Sequence, residues 1–349
     1  MSVNSYLYNK KSKKELEKDL AKEDFPRITI SFYKYIQLSN LNELRDIFYQ
    51  DFINLNILGR VYIANEGINA QISIPKHNYN NLLNYLNSHK TLNGTNVKQA
   101  IEDGLSFYKL VIKVKKEIVA FGLDQKNFDM KKVGKHLDPL EFNKQLSNPD
   151  SVVVDIRNHY ESEVGRFKNA LVPDVERSQD LLKEIKTMLK GKEDSKILLY
   201  CTGGIRCEKA SSFLIKNKFT DVNQLSGGII NYAHEVKKNN LESEFIGKNF
   251  VFDARMGEKV TKEIISNCHQ CGTKSDSHTN CANDLCHLLF IQCERCEDKY
   301  KGCCCSECFE YKNLNQEQKE KRKNQFLDFN KNRLMGKIKP KLYKINKSN

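Results

Sequence analysis

From about residue 26 the hydrophobic and polar positions fall into regular patterns. ITISFYKYI alternates with period two, as a half-buried strand does, and LNELRDIFYQDFINL repeats its apolar positions with helical spacing. ILGRVYIANEGINAQISI reads as two strands broken at Asn65-Glu66-Gly67, HNYNNLLNYLNSH as a second helix, and FYKLVIKVKKEIVAF as strand again. The order β-α-β-β-α-β over residues 26–125 predicts a split βαβ, ferredoxin-like domain. That fold carries no chemistry of its own. Residues 1–25 lack a useful apolar face and read as a polar tail or short helix.

The pattern changes after NFDMKKVGKHLDPLEFNKQL, which reads as a linker, with Asp138-Pro139 placed where a helix would start. SVVVDIR and KILLYC are short continuous apolar runs, the mark of strands buried on both faces. The helical stretches SQDLLKEIKTMLK, CEKASSFLIKNKF and IINYAHEVKK alternate with these runs and with VNQLSGG, read as a strand and turn. A parallel α/β domain over residues 132–255 follows. Phe252, Asp253 and Arg255 are expected as a strand tying the next segment, residues 256–310, to its sheet.

Composition narrows the class. The 349 residues are 39% hydrophobic, and no stretch approaches the roughly 18 consecutive apolar residues of a membrane span. The N-terminus has no apolar core of a secretory signal, so a soluble, cytoplasmic protein with no membrane partner is expected. The formal charge is +13, and residues 311–349 hold 12 basic against 3 acidic side chains. Such a basic tail either keeps the chain solvated or gathers nucleic-acid phosphates. In the second case Lys321, Arg322, Lys323, Arg333 and Lys337 are the candidate RNA contacts. The oligomeric state is not legible.

None of the twelve cysteines precedes Cys201, and ten lie within residues 268–308. In a reducing compartment that crowding points to metal rather than to disulfides. Two tetrahedral sites need eight thiolates, and the candidates are Cys268, Cys271, Cys281, Cys286, Cys293, Cys296, Cys304 and Cys308. At least one of Cys303, Cys304 and Cys305 is then spare. Zinc is the expected ion and an iron–sulfur cluster the second option. His269, His278 and His287 could substitute as ligands.

The most informative segment is CTGGIRC, residues 201–207, between a buried strand and a helix. Ligands in open α/β sheets bind at such carboxyl ends of strands. Gly203 and Gly204 allow a tight turn whose N–H groups stabilise an anion, and Arg206 adds a cation. Thr202 and Ile205 complete the loop. Cys201 is expected to be a thiolate, acting as nucleophile or sulfur carrier with Arg206 as catalytic partner; a buried structural thiol is the plain alternative. Cys207 is a candidate resolving thiol or a packing residue.

Four residues separate Cys201 from Arg206, which resembles the loop of rhodaneses rather than the longer one of cysteine phosphatases. VVVDIRNHYESEVGRFKNA upstream and Leu225-Ser226-Gly227-Gly228 downstream resemble the same family. That resemblance implies a persulfide on Cys201, with Asp155 and Arg157 as structural partners. Over residues 26–310, VYIANEGINAQIS, CTGGIRCEKAS, FVFDARMGEKVT and CHQCG together resemble the tRNA uridine hydroxylase family. Its members imply oxygen-dependent conversion of wobble uridine to 5-hydroxyuridine, with tRNA as partner and molecular oxygen as co-substrate. They also imply that Asn65, Glu66, Gly67 and Asn69 face RNA. No flavin or nucleotide motif is visible. The loop by itself fits a sulfurtransferase equally well, and a non-catalytic, metal-stabilised RNA-binding module is a third reading.

Overall fold

The computed structural model describes residues 11–334. Helix α1 (Lys13–Leu20) opens the chain, capped by reciprocal hydrogen bonds between Ser12 and Glu15. Then come β1 (Arg27–Tyr35), α2 (Leu41–Asn54), β2 (Leu58–Ala64), β3 (Gly67–Pro75), α3 (Tyr79–Ser88), β4 (Lys98–Gln99) and β5 (Leu110–Val114). They form one sheet of order β4-β1-β3-β2-β5, in which only β5 runs parallel to its neighbour. The ferredoxin-like expectation holds with two adjustments. The two-residue β4 is too short to leave a periodic signal, and the expected last strand leaves the sheet after Val114.

Alternation along these strands sorts two faces. Ile30, Phe32, Val61, Ile63, Ile68, Ala70 and Ile72 pack with Phe48, Phe52, Leu82 and Leu86 of the two helices. The opposite face carries Thr29, Ser31, Tyr33, Arg60, Tyr62, Asn69 and Gln71, and it lines a cavity shared with the second domain.

That domain contains β6 (Lys135–Leu137), α4 (Pro139–Leu146), β7 (Ser151–Asp155), α5 (His159–Ser162), β8 (Gly165–Phe167), α6 (Ser178–Met188), β9 (Lys196–Tyr200), α7 (Ile205–Lys216), β10 (Asp221–Leu225) and α8 (Gly228–Lys238). Its parallel sheet has the order β6-β10-β9-β7. The apolar strands are covered on one face by a core including Leu181, Ile185 and Leu214, and on the other by one including Phe142, Ile229 and Tyr232. Asp138 caps α4 by accepting from the backbone N–H groups of Leu140 and Glu141. Arg157 pairs through two nitrogens with Asp155, at 2.8 and 2.6 Å, and also donates to the Gly165 carbonyl. Tyr200 donates to the same Asp155, so β7, β8 and β9 share one buried polar knot.

The strand expected over Phe252–Arg255 lies earlier, as β11 (Phe245–Asn249), paired with β8 and with β12 (Glu258–Lys259). Phe252–Arg255 turns instead, because the Asp253 carboxylate accepts from the Arg255 N–H and closes an Asx turn. Arg255 then pairs with Asp253 and Glu258 and donates to the Glu102 carbonyl, strapping the first domain to the second. A hairpin of β13 (His278–Asn280) and β14 (Leu289–Ile291) follows, then α9 (Glu294–Tyr300), α10 (Ser306–Asn313) and α11 (Gln316–Arg333). The expected basic tail is thus helical through residue 333, and its Phe326 packs on Tyr311. No helix among the described residues is long and apolar enough to cross a membrane.

Candidate active site

The loop after β9 is held from two sides. Gly204 sits in the left-handed region with φ +96°, turning the chain so that its N–H points back at the Cys201 sulfur, 3.2 Å away. The start of α8 clamps the loop from behind, where Ile229 and Ile230 donate to the carbonyls of Cys201 and Thr202. Gly228 is needed for that approach: a Cβ there would lie 2.5 Å from the Cys201 carbonyl oxygen. The Gly-Gly pair downstream of the loop therefore builds the loop.

Cys201 is fully buried. Burial pushes its thiol up, yet the Cys207 thiol, the Arg206 charge and the Arg206 and Cys207 backbone N–H groups outweigh this and bring it to about 6. Cys207 moves the other way, pushed well up by burial and by its hydrogen bond with Cys201. It therefore serves as a thiol donor to the Cys201 thiolate. The Arg206 side chain acts on the sulfur through its charge. Its hydrogen bonds go to Glu161, at 2.7 and 2.8 Å, and to the Thr202 hydroxyl.

Thr202, Gly203, Ile205 and Arg206 form one wall of a cavity of about 310 Å³. The opposite wall is the polar face of the first sheet, including Arg60, Tyr62, Asn69 and Gln71. Tyr33 lies at the seam: its hydroxyl donates to Glu208 at 3.0 Å, one residue past Cys207. Glu208 also bonds His136 at 2.9 Å and accepts from Gln224 at 3.1 Å. Lys98 of β4 stacks over the Tyr33 ring and is lowered to about 8, burial outweighing the attraction of Cys201 and Glu208. Lys209, only 2% exposed, pairs with Glu66 at 2.8 Å and Glu117 at 2.7 Å. Glu66 is thereby turned inward onto α7. Of the loop expected to face RNA, only Asn69 lines the cavity.

Sequence reasoning missed Tyr33, Arg60, Tyr62, Gln71, Lys98 and Glu208. The signal for most was present, because the polar positions of an alternating strand must face something.

The cysteines gather into two sets, Cys268 with Cys271, Cys293 and Cys296, and Cys281 with Cys286, Cys304 and Cys308. These are the eight candidate ligands, and each set could hold a metal ion. Within each set all sulfurs lie within 4.8 Å of one another. Sulfur–sulfur separations are 3.6 Å for Cys271–Cys293, 3.7 Å for Cys286–Cys304 and 3.5 Å for Cys304–Cys308. One tetrahedral ion with Zn–S near 2.3 Å spaces its thiolates by about 3.8 Å, so the sets fit a single ion each. A multi-iron cluster fits less well, because its thiolates bind different iron atoms and stand farther apart. His269 instead bonds Glu163, His278 packs on the Phe250 ring, and His287 is exposed.

Among the described residues, the candidate RNA contacts do not assemble. Lys321 and Lys323 are exposed on α11 and paired with Glu317 and Glu320. Arg322 is exposed beside them. Arg333 turns inward and donates to the Cys304 sulfur at 3.1 Å, drawn by the buried thiolate set. Lys337 lies outside the described residues.

Comparison with known proteins fits this arrangement. Residues 27–118 match the family model described as UPF0176 acylphosphatase like domain, residues 138–235 the Rhodanese-like domain, and residues 246–309 the Rhodanase C-terminal model. A protein of Leptospira interrogans named tRNA uridine(34) hydroxylase is 50% identical over 343 residues, covering 97% of this chain and 93% of its own. Proteins of the same name from Enterobacter sp. and Escherichia coli are 46% and 49% identical, covering 91% and 86% of this chain and 91% and 87% of their own. With that identity along nearly its whole length, the chain belongs to the tRNA uridine(34) hydroxylase family.

Proposed function

We propose that this protein hydroxylates C5 of uridine 34, the wobble position of tRNA, giving 5-hydroxyuridine with molecular oxygen as co-substrate. The observation that carries the reading is the 50% identity over 343 residues to a relative named tRNA uridine(34) hydroxylase. The cavity supports it. It is walled by an aromatic and hydrogen-bonding sheet face on one side and by the Cys201 loop on the other. A single base drawn out of an anticodon loop suits such a space. A tRNA substrate is in keeping with a cytoplasmic protein.

In this reading Cys201 is the nucleophile. Its thiolate adds to C6 of the uracil ring, which makes C5 electron-rich. C5 takes one oxygen atom from dioxygen. The other atom leaves as water, with two electrons and two protons from an external reductant. Loss of the C5 hydrogen as a proton and departure of the thiolate restore the C5–C6 double bond. Gly204 holds the sulfur through its N–H and Thr202, Gly203 and Ile205 shape the wall, while Arg206, fixed by Glu161, keeps the sulfur ionised. Zinc in the two thiolate sets has no redox chemistry and shapes the C-terminal module.

Nucleoside mass spectrometry on unmodified tRNA, with and without oxygen, tests the assignment. A uridine product one oxygen heavier is expected with oxygen, and none with Cys201→Ser. Unchanged uridine under oxygen and reductant would overturn it. The four-residue spacing from Cys201 to Arg206 favours a second reading, a persulfide carrier on the same cysteine. Turnover of thiosulfate and cyanide that is indifferent to tRNA would decide for it.

A further inference from the structure

The cavity beside the Cys201 loop is not isolated. It shares Arg60, Val251, Phe252 and Asp253 with an outer cleft of about 700 Å³, more than twice its volume of about 310 Å³. The cleft is built by α1, β2, the segment leading into β5, the strap at Phe252, and the β13–β14 hairpin of the cysteine-rich module.

Its chemistry is that of a single-stranded RNA seat. Phe252 is among the few large apolar side chains left exposed, at 38%, and it stands on the wall common to both spaces. Edge-on packing against Phe250 and Tyr160 fixes its ring. Tyr108 lies across the cleft beneath the Lys13 ammonium, 5.4 Å from the ring centroid. Lys11, Lys13, Arg60 and Lys109 bring positive charge. The carboxylate on the wall, Asp253, is already neutralised by Arg255. Lys11 and Lys13 pair with Asp19 and Glu17 on the exposed face of α1, and a phosphate can displace such weak surface pairs. Aromatic rings beside cations are how proteins hold unpaired nucleotides without reading their sequence.

Continuity suggests the occupant. A base in the inner cavity stays attached to its neighbours through the backbone, and the two spaces adjoin at Arg60 and Phe252, which gives that backbone a way out into the cleft. We propose that the outer cleft seats the anticodon-loop nucleotide next to the target uridine, its base on Phe252 and Tyr108 and its phosphates on Lys13 and Lys109. The proposal rests on the tRNA reading above and replaces α11 with the cleft as the main RNA contact.

The test uses the full-length, metal-loaded chain and an anticodon stem–loop RNA carrying a photoreactive 4-thiouridine at position 33 or 35. Crosslinks mapped by mass spectrometry are expected at Phe252 or Tyr108 from one of the two positions. Adducts confined to α11 from both would overturn the seat. Two variants read the same contact in solution. Phe252→Ala weakens binding about tenfold at fixed salt, and Lys109→Gln, at an exposed position, lowers the slope of log affinity against log salt by about one. Wild-type affinity and slope in both would equally overturn it. Nucleoside analysis of the wild type keeps the two ideas apart. Hydroxylation with crosslinks elsewhere sinks only the cleft; crosslinks in the cleft with unchanged uridine sink only the hydroxylase.

Discussion

At the scale of single residues, the loop sequence announced a reactive cysteine but not the balance that tunes it. CTGGIRC alone implies a thiolate between N–H groups and a cation. What it hides is Glu161, 45 positions away in sequence, whose carboxylate takes both outer nitrogens of Arg206. It also hides the direction of Cys207, whose raised thiol is a donor to its neighbour. These partners meet only through the fold, and no spacing rule pairs them. A pH dependence follows. The Cys201 thiolate forms above about 6, so the modification rate should fall as pH drops through that value. Removing one donor in Cys207→Ala should move the midpoint up toward the ordinary thiol value of about 8.5. Rate–pH profiles of the two proteins check this, and a shared midpoint would deny Cys207 its part. His136, raised chiefly by its hydrogen bond with Glu208, obeys the opposite sign. Its protonated form favours the fold, so its contribution is complete below the unfolded value near 6.5 and is lost as pH rises through the higher folded value. In His136→Gln the decline of stability as pH rises above about 6.5 should flatten, as followed by urea denaturation across pH.

Elements were legible where a pattern had room to repeat. The nine residues of β1 show their alternation plainly, and the apolar runs of β7 and β9 show burial on both faces. The two-residue β4 has no period at all, yet it brings Lys98 beside Tyr33. The strap at Phe252–Arg255 looks like strand by composition, and a single Asx turn overrides that preference. Helix α7 shows a further limit. Lys209 reads as an ordinary surface lysine, but the first domain covers it and supplies two carboxylates. Removing it strands both acids at the interface. Lys209→Ala should therefore cost about 3–5 kcal/mol of stability, as breaking a buried pair does. The triple change Lys209→Met, Glu66→Gln, Glu117→Gln should recover most of it, since no unpaired charge is left. Urea denaturation of the three proteins measures both effects, and an unaffected single variant would remove the lock from the account.

Across the whole molecule, the two domains and the cysteine-rich module meet around one connected space, and the cysteines decide the third wall. Their number and C-x-x-C spacings disclosed two four-thiolate sets, but not which pair joins which. The answer is interleaved: Cys268 and Cys271 join Cys293 and Cys296, while Cys281 and Cys286 between them join Cys304 and Cys308. The β13–β14 hairpin produces this by folding the chain back: its closing loop carries Cys281 and Cys286, and the chain entering and leaving its open end carries Cys268 with Cys271 and Cys293 with Cys296. An ion in each set would hold together a module whose own apolar core is small, which is where a structural ion contributes most. Release of thiolate-bound metal with a mercurial, read by a chromogenic chelator, should give two equivalents of zinc per chain. One equivalent, or the visible absorption of an iron–sulfur centre, would contradict the paired sites. Stripping the metal should raise deuterium uptake across residues 268–334 and leave the parallel sheet protected, because β7 and β9 are buried in cores of their own. Asn280, His287 and Leu289 wall the outer cleft, so the stripped protein should also bind the anticodon stem–loop more weakly while Cys201 keeps its low-pH reactivity. Equal uptake with and without metal would mean that the module folds by packing alone, and the thiolate sets would then need another purpose.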